Sequence, residues 1–129
     1  MKGIARYFML LALIWVILGM VWGLQMAATH DHTLAPAHAH LNLVGWVTFA
    51  IFAFYYHLVP AAASGLLPKL HLALAVSGVV LMIPGIAMVL TRKGETLAQI
   101  GSLLTLFSMM LFALVVWRSA AKSTPGGAI

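Results

Sequence analysis

Four apolar stretches, each about as long as a bilayer is thick, constrain this chain more than any other feature. They cover residues 7–28, 38–59, 70–90 and 97–117 of 129, and each is near the ~20 residues that a transmembrane helix needs. Only helices and closed barrels satisfy their backbone inside lipid, and no stretch alternates apolar and polar residues as barrel strands do. The sequence therefore predicts an all-α integral membrane four-helix bundle, a single domain over 1–129, in which short loops make consecutive helices antiparallel neighbours.

The composition excludes several classes of protein. With 64% hydrophobic and 7% charged residues, a soluble domain of this length could not bury its apolar surface. The absence of cysteine excludes disulfides, thiolate metal sites, iron–sulfur clusters and a haem attached through C-x-x-C-H. No acidic or basic residue lies in the middle of a span, which argues against a pump-type proton relay, and no phosphate-binding loop is present.

The basic residues predict the orientation of the chain. The formal charge of +5 lies at span ends and loops, which indicates topology and contact with membrane lipid and not nucleic-acid binding. The positive-inside rule places both termini in the cytoplasm, as expected of a bacterial inner-membrane protein. The inner side then carries a larger basic group, namely Lys2, Arg6, Lys69, Arg118 and Lys122. Arg92 and Lys93 fall on the outer side, where an anionic partner such as a haem propionate or a lipid headgroup would stabilise them.

The second span opens with two histidines, His38 and His40, in the sequence A-H-A-H. An ionisable group in a membrane is costly and therefore indicates a functional site. Successive helical residues turn by ~100°, so these two rings point ~200° apart and suit two different cavities better than one chelated metal. Neutral imidazole is a common axial ligand of haem iron, and Asn42, one turn after His38, could support that ligand. The alternative is a polar helix start in contact with water.

Two further histidines, His30 and His32, lie in the loop before the second span. Their expected environment is water. The alternative is a copper or zinc site shared with His38 or His40, with Asp31 as an oxygen ligand.

The inner ends of the second and third spans carry His57 and His71. We expect these side chains to reach the interface or to form interhelical hydrogen bonds. A second haem held between the two spans is the alternative. Separately, the small residues Gly19, Gly45 and Gly78 predict close approach of helices.

Three groups of residues carry a resemblance to a known family. The first is Ala37-His38-Ala39-His40 followed by Phe49-Ala50-Ile51, His57 and Pro60. The second is Lys69-Leu70-His71 leading to Gly78-Val79 and Pro84, and the third is Arg92-Lys93. Over about two-thirds of the chain, its second to fourth spans, this pattern resembles the last four helices of subunit I of the haem–copper oxidases, a family that includes the nitric oxide reductases.

The resemblance implies a cofactor and an assembly. In the family, the histidines of a similar A-H-x-H bind two haems and a basic pair holds haem propionates, so His38 and His40 would be haem ligands and Arg92 and Lys93 propionate contacts. The family subunit has twelve helices in three groups of four. A homotrimer of this chain would rebuild that ring, with His38 of one protomer and His40 of its neighbour on one iron. The copper-ligating histidines and charged proton channels of the family's oxidases have no counterpart here.

The function that these features indicate is that of a membrane haem b protein with bis-histidine ligation, serving electron transfer to or from a redox partner or quinone. Two imidazole ligands leave no open position on iron, which favours a redox relay. One alternative is an oxidoreductase or sensor of oxygen or nitric oxide, of haem–copper oxidase type. Others are a copper-handling or oxidase-assembly protein that uses the four outer histidines, and a cofactor-free helical subunit of a larger complex.

Overall fold

A computed structural model describes residues 1–122, and within that range the chain is helical with no strand. Four helices are long and apolar enough to cross a membrane, which confirms the predicted all-helical architecture. They are Gly3–Thr29, Ala35–Leu58, Leu67–Leu90 and Thr96–Lys122, and we call them the first to fourth helices. The last part of the predicted domain, 123–129, lies outside the described residues.

Prolines set where the middle helices begin and end. The second helix starts at Ala35 and the third at Leu67, three residues before the predicted span starts, because each has proline in its first turn. Proline has no N–H to lose there, and its fixed φ already suits a helix. The second helix ends at Leu58 because Pro60 follows and opens the short 3₁₀ turn Pro60–Ala63.

The third and fourth helices pack as a close antiparallel pair. A Cβ atom added to Gly85 would overlap the backbone of Ala98, and one added to Gly101 would overlap the backbone of Met82. A Cβ on Gly78 would meet the hydroxyl and backbone of Thr105, so the predicted close approach at Gly78 is confirmed. Lipid acyl chains are as apolar as the helix surfaces, so the hydrophobic effect does not drive helices together inside a bilayer. Close backbone contact stabilises the pair through van der Waals packing instead.

The first and second helices form the other antiparallel pair. Gly45 of the second helix faces Trp15, whose Cβ lies 3.0 Å from the position of an added Cβ. Gly19 of the first helix faces Asn42 in the same way. The predicted close approach at Gly19 and Gly45 is therefore confirmed, and in both cases the glycine makes room for a side chain of the partner helix.

One aromatic cluster joins all four helices near the end of the bundle that carries the N-terminus. Phe8 of the first helix stacks on Tyr56 at 5.7 Å between ring centroids and packs edge-on against Phe52 at 5.4 Å. His71 of the third helix and Phe112 of the fourth stack at 5.3 Å and complete the cluster. Elsewhere the helices expose large apolar side chains, such as Leu24 at 72% and Trp117 at 73%, as expected of surfaces that face lipid.

Replacing Gly85 by alanine should loosen the third and fourth helices, because the new Cβ needs space that the Ala98 backbone fills. We expect the free energy of unfolding to fall by about 1–3 kcal/mol, despite the better helix propensity of alanine. Unfolding in a detergent titration followed by circular dichroism measures this. Ser77→Ala, at an exposed site of the same helix, is the control and should change stability little. Equal stability of the Gly85→Ala protein would contradict the close packing.

Candidate functional site

The His38 ring lies in a groove between the first and second helices. The groove has a volume of about 400 Å³ and is lined by Gly19, Met20, Gly23, Leu24, His38 and Asn42. Within it, His38 Nε2 lies 3.4 Å from Asn42 Nδ2, and the ring packs edge-on against Trp22 with centroids 6.2 Å apart. His38 Nδ1 is buried and has no hydrogen-bond partner in the described part of the chain. An unpartnered polar atom in an apolar wall is costly, so this histidine needs an explanation beyond packing.

The His40 ring has a different environment. It is exposed, and its Nδ1 lies 2.7 Å from the carbonyl oxygen of Pro36. A carbonyl can only accept, so Nδ1 carries the hydrogen of this bond, and in the neutral ring Nε2 then has the lone pair. Metal-binding histidines in proteins characteristically donate their second ring N–H to a backbone carbonyl or carboxylate in this way. His40 is thus fixed in the tautomer that binds metal through Nε2.

The two rings therefore occupy separate surroundings, one in the groove between two helices and the other on the outer surface of the protomer. An iron bound at the open nitrogen of His40 would lie outside this chain's own bundle.

A π-helical segment, Leu41–Val47, follows the two histidines directly. Each turn there is wider than an α-helical turn, and the hydroxyl of Thr48 donates to the carbonyl of Leu43, five residues back, at 2.8 Å. Segments of this kind occur frequently at functional sites. The sequence analysis missed it, since the only local signal is Gly45 inside a helical pattern.

Asp31 organises the loop that carries His30 and His32 through two hydrogen bonds. Its Oδ1 accepts hydrogen bonds from the Thr33 hydroxyl at 2.6 Å and from the Thr33 backbone N–H at 3.0 Å. These bonds favour the charged carboxylate and hold the pKa of Asp31 below its ordinary value. Both histidines are exposed, and in residues 1–122 no three His, Asp or Glu side chains come close enough to hold one metal ion. The arrangement of these side chains therefore does not support the alternative of a copper site in this loop.

Arg92 and Lys93 lie in the turn between the third and fourth helices, at the same end of the bundle as His38. Arg92 has a φ of 58°, and the turn is closed by backbone N–H groups of Arg92 and Lys93, which donate to Val89 at 3.0 Å and to Met88 at 2.8 Å. Both side chains are exposed, and neither pairs with a carboxylate in the part of the chain that the structure describes. They present two free positive charges at the end that carries His38 and His40.

At the other end, His57 is exposed and His71 is completely buried. The Tyr56 hydroxyl and His71 Nδ1 form a hydrogen bond of 2.9 Å between the second and third helices. The other ring nitrogen, His71 Nε2, has no partner among the described residues. The expectation of an interhelical hydrogen bond is confirmed for His71. Its pairing with Tyr56 was missed, since no residue spacing connects the two.

Comparison with known proteins adds no relative to this picture. No protein-family model, no curated protein and no solved structure matches the chain.

The buried Tyr56–His71 pair predicts an unequal response to single and double substitution. Tyr56→Phe leaves His71 Nδ1 buried without a partner and should lower the free energy of unfolding by about 1–3 kcal/mol. Tyr56→Phe combined with His71→Phe removes both polar groups and should recover much of that loss. Detergent unfolding of both variants measures the difference. Tyr7→Phe, at a site that is 60% exposed, is the control and should be neutral. A double variant less stable than Tyr56→Phe would contradict the pairing.

Proposed function

We propose that this protein is a membrane haem b protein that transfers electrons, with each haem held between two copies of a homotrimer. The observation that supports this most strongly is the state of His40. Its Nδ1 hydrogen is bound to the Pro36 carbonyl at 2.7 Å, which leaves Nε2 free and exposed to accept a metal.

The second ligand in this proposal is His38 of a neighbouring copy. The two rings of one chain lie in separate surroundings, so one chain does not offer both to the same iron. A closed cyclic assembly lets each copy give His40 to one site and His38 to the next, so that every site is complete. Three four-helix chains would also match the twelve helices of the resembled family. When bound between two imidazoles, the haem supplies one-electron transfer and has no open position for a gas.

Arg92 and Lys93 complete the proposed site. These two cations have no carboxylate partner within residues 1–122 and lie at the same end as His38, so they suit the propionates of a haem. The distribution of basic residues between the two ends of the bundle also supports an orientation in the membrane. The larger basic group at the opposite end supports a bacterial inner-membrane protein with both termini in the cytoplasm, which places the haem near the outer surface.

The first test is haem retention by single variants. His38→Ala and His40→Ala each remove one axial ligand from every site, so we expect the purified proteins to lose haem and the sharp reduced α band of a bis-histidine haem. His30→Ala, an exposed loop change, is the control and should keep both. The ratio of haem to protein, from the pyridine haemochrome spectrum, measures retention. Full occupancy in either of the first two variants would contradict the proposal.

The second test asks whether the two ligands come from different copies. When His38→Ala and His40→Ala chains are made in one cell, random mixing leaves about one interface in four with both histidines intact. Co-expression should therefore restore haem to about a quarter of the wild-type level, although each variant alone binds none. No recovery in verified mixed assemblies would show that one chain supplies both ligands.

Arg92→Ala should leave the haem bound and lower its reduction potential, because a nearby positive charge favours the reduced and less positive iron. The expected shift is roughly tens of millivolts. Redox titration followed by absorbance measures it. Lys69→Ala, at the opposite end of the bundle, should leave the potential unchanged. An unchanged potential in Arg92→Ala would indicate that Arg92 contacts lipid and not the cofactor.

A further inference from the structure

The side chain of Asn42 faces the nitrogen of His38 that an iron would need. Asn42 Nδ2 donates to the carbonyl of His38 at 2.9 Å, which fixes the amide one turn after the histidine. The same nitrogen lies 3.4 Å from His38 Nε2. An amide NH₂ group can only donate, so a hydrogen bond at this 3.4 Å contact requires Nε2 to be the unprotonated, accepting nitrogen of the ring.

The tautomer of His38 follows from that contact. With Nε2 accepting, the ring hydrogen sits on Nδ1, which is the buried atom that lacks a partner. His38 and His40 are thus both in the form that binds metal through Nε2, but they differ in access. The lone pair of His40 is open, and the lone pair of His38 is covered by an amide of the same chain.

Gly19 of the first helix creates the space that the amide fills. A Cβ at this position would overlap Asn42 Oδ1 and press on the rest of the amide. Gly23, one turn later, has the His38 ring beside it, with Cε1 3.2 Å from where a Cβ would lie. The two glycines therefore leave room for the amide and the ring side by side, in a groove that is open on its other side.

We propose that Gly19 and Asn42 are positioning residues that cap His38 Nε2, so that iron binds to His38 only when the Asn42 amide moves away. This inference rests on the proposed function. It implies that haem binding is weakened by the free energy needed to break the contact between Asn42 and His38. A net hydrogen bond of ordinary strength corresponds to about a two- to tenfold loss of affinity. Removing the Asn42 amide should therefore tighten haem binding, although Asn42 lies beside His38, a proposed ligand of the iron.

The test is a haem titration of the full-length apo-protein in lipid nanodiscs. Asn42→Ala removes the amide, and Gly19→Ala expels it, so each should lower the dissociation constant for haem by about two- to tenfold. The double variant should bind no more tightly than Asn42→Ala, because both changes act on one step. Ser77→Ala, an exposed polar residue of the third helix, is the control and should bind as the wild type does. Unchanged or weaker binding by Asn42→Ala would overturn the inference.

A measurement without haem separates this inference from the proposed function. In apo-protein labelled with ¹⁵N-histidine, the His38 Nε2 signal should be that of an unprotonated nitrogen that accepts a hydrogen bond. In Asn42→Ala it should move toward the value of a free unprotonated imidazole nitrogen. A protonated Nε2 in the wild type, or a signal that Asn42→Ala leaves in place, would refute the cap whether or not haem binds. A wild-type protein with the expected signals but no affinity for haem would refute the proposed function and leave the cap intact.

Discussion

No water reaches the interior of a bilayer, so each polar group there must find its partner within the protein. The four helices satisfy their own backbones, and several polar side chains within them bond to carbonyls of the preceding turn, as Thr105 does with Gly101 at 2.9 Å. The exceptions stand out for this reason. In the described part of the chain three buried nitrogens have no partner, on Trp15, His38 and His71.

Those exceptions have different causes at the two ends of the bundle. His71 has one nitrogen bonded to Tyr56 and the other enclosed by aromatic rings, with the Phe52 centroid at 4.4 Å, so its role is to join helices. His38 has its unpartnered nitrogen turned inward and its other nitrogen in an open groove. The first arrangement is complete within one chain. The second places a ring nitrogen in an open groove, where the Asn42 amide of the same chain covers it.

The fold was predictable because hydropathy and proline act locally. The lengths of the apolar stretches predicted the four helices. Pro36 and Pro68 explain why the second and third helices start a few residues before the predicted spans. The π-helical segment Leu41–Val47 was not predictable, because a glycine inside a helical apolar pattern does not distinguish a π-helix from an α-helix. In the same way, spacing alone indicated that His38 and His40 point apart, but ring rotation and partner atoms depend on tertiary contacts that no local pattern encodes.

The unequal access of the two histidines has a consequence for assembly under the proposed function. An iron that approaches this end meets a free lone pair at His40 and a covered one at His38. The bond to His40 therefore needs no rearrangement of the chain, whereas the bond to His38 needs the amide of Asn42 to leave its place against Gly19. In the proposed assembly the two ligands of each iron would come from different copies, so the cap would oppose the bond to His38 of one copy and leave the bond to His40 of the other unaffected.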